Sequence, residues 1–227
     1  MQKTLIVVAL LAQLAACASQ PPDAKAIIRA GEGKTDLLDF RDVVMFPGQI
    51  TCGSYQATSK WGESYGYQDF IVKGSNLNRK PSRADKKIYC SKDSRSAFEQ
   101  QFGIVPSDED NAALSQFRED YDTLSQALNA YRADLPRYPT AEEGLTYLLA
   151  SGHETSPKKF KKSGYLNELP LDYWQRAYIY EPSRWGGVRI AYVIKTLGAD
   201  GEIGGSGPDS DISSEYLKYL VHLDSVR

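Results

Sequence analysis

The chain has 227 residues, enough for one large domain or two small ones. Its formal net charge is −2, so there is no basic excess and nucleic acid is not an expected partner. Three cysteines are an awkward odd number for an exported chain unless one of them has a separate task.

The first seventeen residues suggest that task. Lys3 gives a positive start, residues 5–14 an apolar run too short to span a bilayer, and Leu14-Ala15-Ala16-Cys17 a small-residue cleavage site. This is a signal-peptide pattern, and a cysteine at its end resembles a bacterial lipobox. The resemblance implies removal of residues 1–16 and acylation of Cys17, which gives stable attachment when several chains are added. Ala18 after the cysteine implies the outer membrane by the sorting rules of such lipoproteins. The alternative is an ordinary signal peptide with a chance cysteine. With lipid on Cys17, Cys52 and Cys90 remain, and the oxidising periplasm allows them to pair. Neither stands in a Cys-x-x-Cys motif, and no histidine cluster offers zinc ligands.

Residues 17–35 are polar, with Pro21-Pro22 and two glycines, and are expected to form a tether with room for a short helix at its end. A small, mostly β domain with one disulfide is expected over 36–105. Its strands are read at 39–46, ending at the Pro47-Gly48 turn, at 50–55, and at 68–73. A glycine- and aromatic-rich connection, 61–67, joins the last two. Residues 74–87 read as a basic loop, 88–90 as a final strand returning Cys90 to Cys52, and 94–102 as a helix. The order Asp-Phe-Arg-Asp-Val, Cys-Gly, glycine-aromatic segment and Phe-containing strand resembles a small module of bacterial periplasmic proteins. That module carries no catalytic motif, and its glycine-aromatic segment serves either packing around the disulfide or binding.

A second domain is expected over 106–227. Residues 107–110 are acidic after a serine, a good helix start. Leu114, Phe117, Tyr121, Leu124, Leu128 and Tyr131 then recur in steps of 3 and 4, one apolar stripe along about five helical turns. Thr140 and Glu143 have the form of a capping box before a short helix at 145–149. A basic loop, 151–163, leads to a hairpin of strands 178–180 and 188–194, joined by 182–187. The second strand runs into residues 196–212, which cannot be the interior of a helix or central strand because of Gly198, Gly201, Gly204, Gly205, Gly207 and Pro208. The loop also carries Asp200, Asp209 and Asp211. Converging carboxylates and glycine-freed carbonyls suit calcium, which takes 6–8 oxygen ligands at roughly 2.3–2.6 Å. The spacing is not that of an EF-hand, and a hairpin turn followed by an aspartate-rich surface loop is the plain alternative. Residues 214–223 close the chain as a short helix or strand.

Taken together, "ALNAYRADLPRYPTAEEGL", "GYLNELPLDYW", a hairpin and "TLGADGEIGGSGPDSDI" resemble, in order, the periplasmic domain of the major pseudopilin of type II secretion systems. The resemblance covers residues 124–212. It implies an α+β fold, a long helix packed on a short antiparallel sheet with a calcium loop. The implied ligands are the side chains of Asp200, Asp209 and Asp211, with the Leu197 carbonyl. In that family a basic leader and a long apolar helix with a glutamate precede the domain. Here a lipobox and an extra module stand in front, so polymerisation by the family's route is not expected. The family also has proline where this chain has Tyr173, before Trp174.

The function expected from these features is that of a non-enzymatic, calcium-binding envelope lipoprotein. It would serve type II secretion through contacts with secretion-system or pseudopilus proteins, held to the membrane by its lipid. The alternative is a borrowed fold that binds another protein or a cell-wall ligand outside secretion. No small-molecule substrate is expected. His153 and His222 read as surface residues, Asp172 as a turn residue, and no Gly-x-Ser-x-Gly elbow or phosphate-binding glycine loop is present.

Overall fold

A computed structural model of the chain describes residues 23–32, 37–64, 66–106, 112–150, 160–185 and 188–227, with no account of the side chains of 184–190. The signal sequence, Cys17, the acidic helix start at 107–110 and residues 151–159 of the basic loop, His153 among them, lie outside the described residues.

Within the segment read as tether, helix α1 (Ala24–Gly31) is capped by Asp23, whose carboxylate accepts from the Lys25 amide at 2.9 Å. Its buried residues, Ala24 and Ile28, face an antiparallel meander of β1 (Leu37–Phe46), β2 (Ile50–Thr58), β3 (Gln68–Lys73) and β4 (Asn76–Asn78). Alternation along the strands divides the sheet into two apolar faces. Tyr55, Phe70 and Val72 pack under α1, while Ile50, Cys52 and Ile71 point to the other side.

That other side is closed by a helix where a loop and a strand were expected. Helix α2 (Arg83–Tyr89) starts at a reciprocal box: the Asp85 amide donates to Ser82 Oγ at 3.0 Å, and the Ser82 amide to Asp85 Oδ2 at 2.9 Å. Cys90 ends this helix and bonds Cys52 across a Cα separation of 5.9 Å. The disulfide is the expected one, but it ties strand to helix. Helix α3 (Ser94–Phe102) follows, ended by Gly103 in the left-handed region at φ 70°.

After β5 (Val105–Pro106), helix α4 (Ala112–Asp134) buries Leu114, Phe117, Leu124, Ala127, Leu128 and Tyr131, one face of its length. The Thr140–Glu143 box forms at 2.7 and 2.9 Å but leads through a turn into a single 3₁₀ turn, Leu145–Leu148. Strands β6 (Ile179–Trp185) and β7 (Val188–Thr196) make the hairpin. β6 runs past Pro182 because it is an edge strand, where a missing amide costs no ladder bond. A two-residue β8 (Ser206–Gly207) pairs in parallel with β5, and β9 (Ile212–Ser213) pairs with β7. Helix α5 (Leu217–Ser225) ends the chain.

Helix α4 lies on the hairpin through Phe117 against Tyr178 (ring centroids 5.7 Å) and through Tyr178 and Tyr192, whose hydroxyls donate to Asp120 and Ser125 at 2.6 and 2.8 Å. The same apolar cluster takes in Ile88, Ala97 and Phe98 together with Leu124, Ile194 and Tyr219. The core therefore runs continuously across residue 105, where the sequence places a domain boundary.

Candidate functional site

The loop that leaves β7 is held at its entrance by a buried carboxylate. Leu171 and Ala177 bridge across a tight turn in which Gln175 takes φ 64°. Asp172 heads that turn, only 1% exposed. Its Oδ1 accepts from the amides of Trp174 and Arg176 at 3.0 and 2.7 Å, and its Oδ2 from the hydroxyl of buried Thr196, the last residue of β7. Arg176 Nε lies 3.4 Å from the same carboxylate, and its Nη2 donates to the carbonyl of Gly198. Asp172 thus positions Arg176, and Arg176 holds the first turn of the loop. The turn role read for Asp172 is the one it has, with no proton-transfer partner beside it among the described residues.

The loop then wraps around its own backbone. The Ala199 amide donates to the Pro208 carbonyl at 3.0 Å and the Asp211 amide to the Gly204 carbonyl at 3.1 Å. Between these, the Asp209 carbonyl is gripped by two glycines. A Cβ on Gly198 or on Gly205 would stand 2.2 Å from the Asp209 carbonyl oxygen, and both residues have positive φ (64° and 73°). Only glycine satisfies both conditions.

Asp211 and Asp200 fit a cation. Asp211 Oδ1 is buried and has no hydrogen-bond partner among the described residues. Burial pushes its carboxyl pKa up, with the Asp200 charge adding to the rise and the Gly204 backbone and Lys195 opposing it. Asp200 Oδ1 accepts from the Glu202 amide at 2.9 Å, and the Leu197 carbonyl from the Gly201 amide at 3.2 Å. A carboxylate and a carbonyl each keep acceptor capacity after one such bond. Asp209 is exposed. Among the described residues no three of Asp, Glu, His and Cys stand together as a closed metal cage. Of the expected ligands, Asp211 has Asp200 in its field, while Asp209 contributes its backbone to the packing of the loop.

His222 is a correction. It was expected at the surface, yet it is fully buried on α5, with Nε2 3.2 Å from Ser94 Oγ and Nδ1 unpartnered. Burial, helped by the charge of Lys73, lowers its pKa to about 4, so it is neutral near pH 7. The β1–β2 turn covers it: a Cβ on Gly48 would lie 3.2 Å from Nδ1. Arg176 and Thr196, which support the loop, had no sequence signal, because their partners lie about twenty residues away along the chain.

Residues 105–215, from β5 through β9, match the family described as Type II secretion system (T2SS), protein G. Over 111 residues the chain is 34% identical to Type II secretion system core protein G of Pseudomonas aeruginosa, covering 48% of this chain and 76% of that one. Over 92 residues it is 36% identical to the protein of the same name from Vibrio cholerae, covering 40% of this chain and 60% of that one. A solved structure, the major pseudopilin from the type 2 secretion system of enterohaemorrhagic Escherichia coli, is 28% identical, with 45% of this chain and 86% of that chain covered and a TM-score of 0.37. The matched stretch contains α4, the β6–β7 hairpin and the whole glycine-aspartate loop, and the chain belongs to the type II secretion system protein G family.

Proposed function

We propose that this chain serves type II protein secretion as a non-enzymatic lipoprotein of the bacterial envelope, anchored through Cys17, whose pseudopilin-like domain makes contacts with other secretion-system proteins. The family match over residues 105–215 supports the secretion role, and the lipobox-like residues 14–17 support the anchor. Among the described residues no helix is long and apolar enough to cross a membrane.

Calcium belongs to the same proposal. The ion would be held by Asp211 and Asp200, with Asp209 and the Leu197 carbonyl completing an oxygen shell. It would supply the partner that Asp211 Oδ1 lacks and pin a loop rich in glycine. A ligand that binds only the folded state stabilises it by mass action. Thermal unfolding of residues 18–227 should show a midpoint raised by calcium and lowered by chelator, and the difference should vanish in an Asp200→Ala, Asp211→Ala double variant. Identical midpoints in all conditions would remove calcium from the proposal. For the function itself, the gene is deleted and the proteins secreted into the medium are quantified. Reduced secretion restored by the wild-type chain is the expected result. Unchanged secretion would favour an envelope lipoprotein that uses this fold for another protein or a cell-wall ligand.

A further inference from the structure

We propose that the free edge of the N-terminal sheet, strand β1, lies against the periplasmic surface of the bilayer that holds the lipid on Cys17. The inference rests on the lipid anchor proposed above and adds to it a defined membrane-facing surface.

The first observation is distance. The segment after Cys17 is not a long spacer, because α1 folds onto the sheet with Ile28 completely buried and its cap at Asp23. Five residues, 18–22, lie between Cys17 and that cap, and the six fully extended steps from Cys17 to Asp23 reach about 20 Å. The folded module cannot leave the bilayer surface by more than roughly its own thickness.

The second observation is where the anchor chain arrives. Lys25 and Arg29, one helical turn apart, sit over the ring of Phe40 in β1, at 5.5 and 5.9 Å from its centroid. The described chain therefore begins, at Asp23, close to β1, one of the two edge strands of the sheet. Of the module's surfaces, this edge is among the first that a lipid on Cys17 would bring to the membrane.

The third observation is the chemistry of that edge. Natural edge strands are kept from sticking by charge, bulges, proline or brevity. β1 has a bulge between Arg41 and Val44 with Asp39, Arg41 and Asp42 along it, yet apolar side chains remain open beside these. β1 has ten residues and exposes Leu37 (78%), Val43, Val44 and Met45 (55%). Beside Leu37, which pairs with Thr58, the β2–β3 connection presents Trp61, 79% exposed, with Lys60 5 Å from its ring. Apolar side chains rimmed by tryptophan and lysine are the composition of a protein surface seated at the headgroup level. Charges along the edge balance in number, with Lys25, Arg29 and Arg41 against Asp23, Asp39 and Asp42. Contact should thus depend on apolar insertion and little on the anionic lipid fraction.

The test uses the full lipidated chain in vesicles of phosphatidylethanolamine and phosphatidylglycerol, compared with a Cys17→Ser chain free in solution. Amide hydrogen exchange is read along β1. The expected result is that β1 amides exchange at least about tenfold more slowly on vesicles, and that a Val44→Asp, Met45→Asp chain still floats with vesicles but exchanges as the free protein does. A wild-type chain that floats while β1 exchanges as in solution overturns the proposal and leaves the anchor intact. A chain that does not float overturns both. Protection of β1 that appears in the Cys17→Ser chain as its concentration rises assigns the edge to a second copy, and likewise overturns membrane docking.

Discussion

Replacing Asp172 tests the link between the fold and the loop. The carboxylate is buried and accepts from two backbone amides and one hydroxyl while it faces Arg176. Asp172→Ala strands those donors beside a small cavity of about 80 Å³ lined by Asp172, Arg176 and Thr196. A buried donor left without its acceptor costs about 1–3 kcal/mol, and with three donors stranded beside a partly solvated Arg176 the unfolding free energy should fall by about 3–5 kcal/mol. With a denaturant slope of about 2 kcal/mol per molar urea, the midpoint should drop by roughly 2 M. Asp172→Asn keeps an acceptor for the Trp174 and Arg176 amides but puts an NH2 donor in place of Oδ2, so the Thr196 hydroxyl has to turn and accept and Arg176 loses its countercharge; its cost should be about 1–2 kcal/mol. Urea titration of residues 18–227 measures both. Amide exchange at the Ala199 and Asp211 amides should rise more than exchange in α4, because Arg176 no longer holds the Gly198 carbonyl. A loss below about 1 kcal/mol for the alanine variant, or equal losses for both variants, would refute the positioning role.

Other substitutions probe separate parts of the structure. Gly205→Ala places a methyl 2.2 Å from the Asp209 carbonyl oxygen at φ 73°; it should cost more than about 2 kcal/mol, against about 1 kcal/mol for Gly207→Ala, whose Cβ meets open space. Denaturant titration of the two separates crowding from backbone strain. The Cys52–Cys90 bridge spans 38 residues, which corresponds to about 4 kcal/mol in the chain-entropy account; a Cys52→Ser, Cys90→Ser chain should lose up to that amount, and reductant should have no further effect on it. His222 titrates at about 4 when folded and near its ordinary 6.5 when unfolded. The unfolded chain therefore takes up a proton first as pH falls, so stability is full above pH 6.5 and declines by about 3 kcal/mol toward pH 4. Stability curves of His222→Gln should be flatter over that interval.

What could be read from sequence was what repeats locally. The α4 stripe declares itself because Leu114 to Tyr131 return every three or four residues, and the buried residues of the helix fall on that stripe. The glycines of 198–207 forbade regular structure, and the structure shows the reason at Gly198 and Gly205, where another backbone passes within contact. Helix α2 was missed because seven residues of Arg-Ala-Asp-Lys-Lys-Ile-Tyr carry too little periodicity and much charge. Its one signal was Ser82 three residues before Asp85, a capping pair with aspartate in place of the usual glutamate. The burial of His222 had no local signal at all. It follows from the Gly48 turn and α3 closing over α5, contacts 174 and 128 residues apart in sequence. The same holds for Asp172 and Thr196: the hydroxyl-carboxylate pair exists only once β7 has been laid beside the 172–176 turn.

Helix α5 explains why the two halves of the chain form one body. It starts at Leu217, just past the stretch that matches the family, and packs back onto the N-terminal half. Asp85, already engaged in capping α2, also receives Tyr219 Oη at 2.9 Å and Lys218 Nζ at 2.6 Å through Oδ1. Burial works against its charge, but these donors and Ser82 outweigh it and lower its pKa. Around this pair Tyr89 meets Tyr219 and His222, and Phe102 meets Tyr216 and Tyr219, at ring separations of 5.0 to 5.6 Å. Such aromatic contacts in a shared core join the module that bears the disulfide to the domain that bears the glycine-aspartate loop. An anchor beside β1 would consequently set the orientation of that loop as well as its distance from the membrane. A partner in secretion would then meet the pseudopilin-like face at a fixed angle.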